Sequence, residues 1–508
     1  MAATTTVVRE KNTADRELGK SETNWIGAVE TGTGITLLGL LFARRFTRSS
    51  LTTSLRQLLA SHPRLRSNIS KQLNGKNFLF TTRTADHAAE DPVVSQISLI
   101  SSAADDDEEE LEDDDESEEA SKEKWLKLLE DEMNTPFPKE KPFAVFDMKV
   151  YELPENSSLV VFRFHSAAAD VASTSPVARQ FVDLLYRQVQ LEEQEQEQEQ
   201  DATAQKKKKQ TTCVSSESAA AEGGQQEEEE EEEEEEVEDI ELPALEKAIP
   251  QGQAQKPIWA HGVDTLGYGI VSRKHAYLPF DHTNKPRKSR LIRASLSPKA
   301  TDDLLQACKK NNSLLYGAIE AAGLKAAADM KKVGKRGEHY GTAVLLNCRN
   351  LLEPHILESH VGFYHAAMLK TIHVSETESF WEVAVKCTTK YNEAIKAKKH
   401  FMDLGDLNAL MVQGMRFPNL TPSGSLRSTL LSLTAEPLYQ DLGPSAMHLN
   451  LTDHLVCTSN HGIGSCLAIF YFIRDAKLEF SFIYASPLFT RPKMQDLVNS
   501  ILSYLTVE

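Results

Sequence analysis

Apolar side chains recur along this chain with two periods, and the switches between them mark its elements. Leu51, Leu55, Leu58 and Leu59 fall on one face of a helix. Ser49 or Ser50 is placed to cap it and Pro63 to stop it. After "RLRSNI" and an Asn74-Gly75 turn, "NFLFTT" reads as a short strand. Trp125 to Met133 predicts a helix, Phe143 to Leu153 a strand, and "LVVFRF" (Leu159 to Phe164) a buried strand. The next helix is announced by Ser175 as N-cap and Pro176 at its first position, with Phe181, Leu184 and Leu185 on one face.

The second half repeats the mixture. "RLIRASL" is a strand, and Ser297 with Pro298 opens a helix that carries Leu304, Leu305 and Cys308. "SLLYGAIEAAGLKAAADM" is an alanine-rich helix, "TAVLLNCR" a buried strand, and Phe380 to Ala397 a further helix. The end alternates as "LEFSFIY" and closes with the helix "KMQDLVNSILSYL". Strands and helices interleave in both halves, so the expected class is α/β, with two related lobes.

Composition and charge divide the chain further. Its 508 residues allow two or more cores, and 40% are hydrophobic. The net charge of -19 is misleading as a description of the surface. Asp105–Glu119 and Glu222–Glu241 together hold 27 acidic residues and no basic one, so the remaining 48 acids face 56 bases. The folded part is expected to be mildly basic. Residues 188–257, with glutamate/glutamine alternation and ten consecutive glutamates at Glu227–Glu236, hold few apolar side chains and are expected to be a disordered acidic insertion. The resulting division is a flexible stretch 1–24, a first lobe 25–187 with an acidic loop at 103–121, the insertion, and a second lobe 258–508. The acidic tracts would attract basic protein partners. Lys206–Lys209, embedded between acidic runs, reads as solvated linker, so no nucleic-acid partner is expected; the chain is taken as a monomer.

The six cysteines show no CxxC pair and no zinc-finger spacing, which reads as reduced intracellular thiols. The first 25 residues have no apolar run after a basic start, so no secretory signal is expected. The longest apolar run, "ITLLGLLFA" at Ile35–Ala43, is too short to span a bilayer and reads as a buried strand or helix. A cytoplasmic location follows. His355, His360 and His365 recur every five residues across a proline-containing loop, which fits no metal-ligand spacing. "SNHGIGSC" (Ser459–Cys466) lacks the lysine and helix of a phosphate loop and reads as a strand-linking turn. "NKPRKSRLIR" (Asn284–Arg293) could meet the phosphates of coenzyme A but reads as a solvated loop before a strand.

Four segments, in order, carry a resemblance. "LTTSLRQLLASHPRLRSNIS" resembles the first helix and "HPxLR" turn of the CoA-dependent acyltransferase superfamily, which includes chloramphenicol acetyltransferase, alcohol acetyltransferases, peptide-synthetase condensation domains and phthiocerol-type acyltransferases. "EDEMNTPFPKEKPFAVFDMKV" is similar to the segment where an "NxPF" stretch precedes a strand. "LVVFRFHSAAADVAS" falls where that superfamily carries its HHxxxDG loop, and "LLNCRNLL" with "HVGFY" resembles the strand that supplies an arginine and the following glycine turn. No counterpart of the plant branch's DFGWG motif is present. The resemblance covers residues 25–186 and 258–508. It implies two lobes facing each other as a pseudo-dimer, with acceptor and thioester donor entering a tunnel between them. It implies no tightly bound cofactor, with acyl-CoA or a carrier-bound thioester as substrate and an alcohol or amine as acceptor.

Aligned residue by residue, His165 matches the first histidine of the loop, Ser166 the second, Asp170 the aspartate and Val171 the glycine. In the superfamily the second histidine removes the acceptor's proton, and a serine hydroxyl is too weak a base for that step at neutral pH. Neighbouring side chains at a strand end point to opposite faces, so His165 is expected to aim away from the tunnel and sit as a core histidine. Ser166 as an acyl-accepting nucleophile would need a histidine such as His365 or His461 beside it. Asp170 is expected to pair with Arg349 as a structural tie, and Val171 to alter the loop, since it lacks glycine's access to positive φ. Two readings stay open: an acyltransferase with His165 or Ser166 as catalytic candidates, and a non-catalytic binding or scaffold protein of the same fold.

Overall fold

The computed structural model describes residues 8–10, 15–72, 77–83, 99–101, 118–211, 238–240, 242–256, 275–417, 427–438 and 442–506. In the first lobe the helix α1 (Lys20–Glu30) leads into β1 (Thr33–Phe42), the apolar run of the sequence, which is a strand with nearly every residue buried. Helix α2 (Arg48–Ser61) follows, with Leu51, Leu55, Leu58 and Leu59 all in the core. Its cap is Thr47, whose hydroxyl accepts from Ser50 N at 3.0 Å, in place of the expected Ser49 or Ser50. After β2 (Leu99–Ser101) come helix α3 (Glu118–Asn134), β3 (Phe146–Glu152) and β4 (Ser158–His165), and then the long helix α4 (Thr174–Thr211).

The second half of the chain supplies β5 (Lys288–Ser295), α5 (Pro298–Lys310), α6 (Leu315–Met330), β6 (Glu338–Asn347), β7 (His365–Val374), α7 (Phe380–Lys396), α8 (Leu404–Arg416), β8 (Leu431–Thr434), β9 (Leu451–Asn460), β10 (Leu467–Arg474), β11 (Lys477–Ser486) and α9 (Arg491–Leu505), all but β9 building the second lobe. Its six-stranded sheet runs β5-β11-β10-β8-β6-β7. The first lobe's sheet runs β9-β1-β4-β3-β2. A smaller four-stranded sheet beside it includes Phe78–Thr82 and Ser67–Lys71. The α/β class with two sheet-and-helix lobes therefore holds. Among the described residues, no helix is long and apolar enough to cross a membrane.

The sequence-based boundaries need four corrections. First, β9 lies in the second half of the chain yet pairs antiparallel with β1, Val456 opposite Leu38. A strand buried along its whole length, such as β1, must have its backbone groups paired on both edges. β4 serves one edge, with Val161 opposite Gly39, and β9 serves the other. The lobes are thus laced together, and residues 258–508 are not a self-contained unit.

Second, α4 does not end near residue 187 but continues to Thr211. The stretch from Leu191 to Thr211 is mostly Glu, Gln, Ala and Lys, with only Asp201, Thr203 and Thr211 as weaker helix formers. Glu192 anchors its start, accepting from Thr47 Oγ1 and Ser50 Oγ at 2.7 Å each. Third, the end of the insertion is packed: Leu242, Leu245 and Ala248 join the second lobe's core, and Lys256 reaches Asp403 and Asp406 at 2.9 and 2.7 Å. Fourth, the tail of the 1–24 stretch is fixed, because the buried Glu22 carboxylate takes Arg16 at 2.6 Å and Gly19 N at 2.6 Å. The decaglutamate run, the Asn74-Gly75 turn and residues 102–117 of the acidic loop lie outside the described residues.

Candidate functional site

The loop after β4 sits where the two lobes meet, and its two ends have different surroundings. At its far end Asp170 faces Arg349, which stands in a single 3-10 turn just after β6. The guanidinium donates from both terminal nitrogens to the two carboxylate oxygens, at 3.0 and 3.1 Å, and neither side chain has any exposed surface. Arg349 also donates to Ser173 Oγ at 2.9 Å and to the carbonyls of His360 and Gly362. Asp170 in turn accepts from Tyr364 N at 2.8 Å and from Ser173 N and Oγ at 2.9 Å each. Burial alone would raise its pKa; Arg349 and these donors outweigh burial and hold it down at about 2.

Asp170 thereby does a second job, as N-cap of the 3-10 turn Val171–Ser173 that opens α4. Ser175, the expected N-cap, and Pro176, the expected first helical residue, both lie inside the helix, which begins at Thr174. Val171 stands where the resemblance expects a glycine, and none of residues 165 to 173 has a positive φ. This loop asks nothing of that position that a β-branched residue cannot adopt.

At the near end, His165 is buried and turned into the first lobe. Its ring lies 5.3 Å from that of Phe137 and 5.5 Å from that of Phe143. Its Nδ1 accepts from Ala167 N at 3.1 Å, which places the proton on Nε2. Burial and, less, the charge of Lys141 lower its pKa to about 3, so the ring is neutral and committed to the loop's own backbone.

Ser166 points the other way. Its N donates to Gly34 O at 3.1 Å, and its hydroxyl has a single polar neighbour among the described residues, Thr36 Oγ1 at 3.5 Å, which is at the limit for a hydrogen bond. Thr36 is already engaged with Thr458 at 3.1 Å. Gly34, with φ +99°, lets an indole approach: a Cβ there would lie 2.7 Å from the Trp25 ring and 3.0 Å from Ser166 Oγ. Trp25 projects from α1, packs against the cores of both lobes and stands 5.8 Å from Phe363. The sequence reading did not find Trp25. Nothing in its own neighbourhood marks it, because its position depends on Gly34 and on two lobes closing over it.

Among the described residues, no other histidine bonds to Ser166. His461 pairs through Nδ1 with Ser289 Oγ at 3.0 Å, and burial followed by Arg427 and Arg287 lowers its pKa to about 4. The "SNHGIGSC" turn holds the buried Arg427, which donates to the carbonyls of Asn460, His461, Gly462 and Ser465. Carbonyls turned inward onto a cation cannot cradle a phosphate. The basic patch Asn284–Arg293 runs into β5 itself, where Arg290 is tied to Glu130 of the first lobe at 2.6 Å, and Arg293 to Asp453 and Glu479. These two arginines hold the lobes together and are not solvated as expected.

His365, at the start of β7 opposite Asn347, lines a cleft of about 470 Å³ between the lobes, shared with Val171, Ser175 and Arg179 on one side and Asn347 and Glu436 on the other. Burial lowers its pKa, against the pull of the nearby Asp170 carboxylate.

No family model matches the chain, and no curated protein matches it in sequence. Solved structures do match its fold. Trichothecene 15-O-acetyltransferase from Fusarium sporotrichioides superposes with a TM-score of 0.67 at 12% identity, over 98% of this chain and 97% of that one. Polyketide synthase associated protein 5 from Mycobacterium tuberculosis gives 0.56 at 12% identity, with 98% of each chain covered. The first condensation domain of the calcium-dependent antibiotic synthetase gives 0.57 at 12% identity, over 98% and 96%. The fold along the whole chain is therefore that of the CoA-dependent acyltransferases and condensation domains.

Proposed function

We propose that this chain is a cytosolic binding protein built on the acyltransferase fold, in which the loop between the lobes keeps its structural tie and does not carry out the proton abstraction of acyl transfer. The observation that carries this reading is the setting of Ser166. Where a general base would have to meet an acceptor, there is a hydroxyl whose one polar side-chain neighbour among the described residues is another hydroxyl, with Gly34 lying between it and the Trp25 indole. A base must lie within hydrogen-bond reach of the proton it takes and have a suitable pKa. His165 is held away from that position by its bond to Ala167 N. Ser166 as a nucleophile would need an imidazole partner, and among the described residues it has none.

The second reading, an acyltransferase drawing on acyl-CoA or a carrier-bound thioester, is favoured by the full-length likeness to trichothecene 15-O-acetyltransferase. Incubating the purified protein with a panel of acyl-CoA compounds and candidate alcohols and amines, and following free thiol, separates the two. The binding reading expects thiol release at the background rate. Multiple turnovers per protein molecule overturn it. The acidic tracts would recruit basic protein partners, a role independent of the loop.

A further inference from the structure

The packed end of the acidic insertion connects the two ends of the interlobe loop by a route outside the loop. Helix α1, which carries Trp25, starts from a glycine: Gly19 is its N-cap and has no side chain to offer the first amides. The amide of Ser21, one turn before Trp25, donates instead to Glu246 Oε1 at 2.6 Å, across 225 residues of sequence. A carboxylate there also meets the positive end of the helix dipole. The approach depends on Gly19, since a Cβ at that position would lie 2.4 Å from Glu246 Oε2 and 2.7 Å from Ala244 Cβ.

Glu246 is not held there by bonds to its other oxygen, because Oε2 is sealed from the surface and unpaired. Its place is set by the segment that carries it, residues 242–256. Leu242, Leu245 and Ala248 are buried in the second lobe's core. Pro243 O accepts from Tyr364 Oη at 2.9 Å and Ala248 O from Glu353 N at 2.8 Å, and Lys256 reaches Asp403 and Asp406 at the start of α8. Helix α8 grips the same end of α1: Asn408 Nδ2 donates to Ser21 Oγ at 2.9 Å and Asn24 Nδ2 to Asn408 O at 3.2 Å. Tyr364 is a fixed post for the segment, because its own amide donates to Asp170 Oδ2 at 2.8 Å inside the buried tie to Arg349.

We infer that residues 242–256 are a strap that positions Trp25. The Asp170 tie fixes Tyr364, Tyr364 and the second-lobe core fix the strap, and Glu246 fixes the start of α1, so that Glu246 and Tyr364 are positioning residues for the Ser166 end of the loop. The chain of contacts is continuous, and it makes α1 and the strap one opening unit. This goes beyond the reading of the loop and stands whichever of the two functions holds, since Gly34 separates the Trp25 indole from Ser166 in either.

The test uses full-length protein labelled with fluorotryptophan, with the Trp25 signal in the fluorine spectrum assigned from Trp25→Phe, and hydrogen exchange of α1 and of the strap read by mass spectrometry. Glu246→Ala should speed exchange in both segments by the same factor, at least about fivefold, as loss of a helix cap does to a locally opening unit, and should move the Trp25 signal. Tyr364→Phe removes a hydroxyl bonded to the strap and not to α1, yet exchange in α1 should rise about threefold or more. Glu246→Gln keeps the acceptor and should stay within about twofold of wild type. Exchange in the second lobe's six-stranded sheet should be unchanged in all three variants. An unchanged α1 and Trp25 signal in Glu246→Ala or Tyr364→Phe overturns the inference, and so does a Glu246→Gln variant as fast as Glu246→Ala. A rise of equal size in the six-stranded sheet, the mark of a general loss of stability, overturns it as well. Should Glu246→Ala fail to fold, Tyr364→Phe still decides.

Discussion

Ser166 and Asp170 are separated by three alanines and have opposite fates. Asp170 uses both carboxylate oxygens, on a guanidinium, two backbone amides and a hydroxyl, with no exposed surface. Ser166 has one hydroxyl contact at 3.5 Å and an indole for a neighbour. The difference teaches that one short loop can hold a fully bonded carboxylate and, four residues away, a hydroxyl with almost no partner. The aspartate pins the start of α4 to the glycine turn after β6, so its removal would unpin both lobes. Ser166 lies beside β1, where its one polar side-chain neighbour among the described residues is Thr36 Oγ1.

The comparison can be broken most readily at its Asp170 end. Asp170→Ala leaves the Arg349 guanidinium buried and unpaired and should cost about 3 kcal/mol in denaturant unfolding. A loss under about 1 kcal/mol would mean that the pair is dispensable and the two ends are alike. Acid provides the next largest effect. The folded-state pKa of Asp170 lies at about 2, below the ordinary 3.8. The unfolded chain therefore binds the proton first, and the stabilisation is complete above about pH 4 and drains away as the pH falls towards 2. The component is about 2 kcal/mol and should be missing from Asp170→Asn, which has no carboxylate to protonate. An unchanged difference between wild type and Asp170→Asn across pH 4 to 2 would contradict it.

Smaller effects belong to the Ser166 end. Ser166→His forces a ring into space shared with Trp25 and Thr36, and overpacking of this kind should cost about 1 to 2 kcal/mol. If it is neutral or stabilising, the space beside Trp25 is open and the reading of a filled position fails. Ser166→Ala removes a hydroxyl with at most one marginal bond and should change stability by less than about 0.5 kcal/mol in the same assay.

Much of this was legible from residue order. The leucine face of α2, the buried run of β4 and the Asp170–Arg349 match rest on local periodicity or on motif positions, and the structure has each of them. What was not legible depends on contacts distant in the chain. β9 belongs to the first lobe because β1 needs a partner on its second edge, a requirement that no residue within β9 announces. The extension of α4 runs against the disorder that low complexity and dense charge imply, because most of its residues are individually strong helix formers and Glu192 is anchored on α2 and its cap. Trp25 and the capping of α1 by Glu246 acquire meaning only once the lobes are closed on each other.

The central claim, that the loop is retained for structure and not for proton transfer, is tested most directly by measuring acyl-CoA thiol release for wild type, Ser166→Ala and His165→Ala side by side, with each variant's fold checked by its unfolding curve. General-base assistance is worth about 10² to 10⁴ in rate, so its presence or absence is easily resolved. The account predicts that wild type and Ser166→Ala release thiol at the same background rate, and that His165→Ala shows no separate kinetic effect while it stays folded. A wild-type rate that falls by about a hundredfold or more in folded Ser166→Ala or His165→Ala would contradict it and assign the loop a working nucleophile or base.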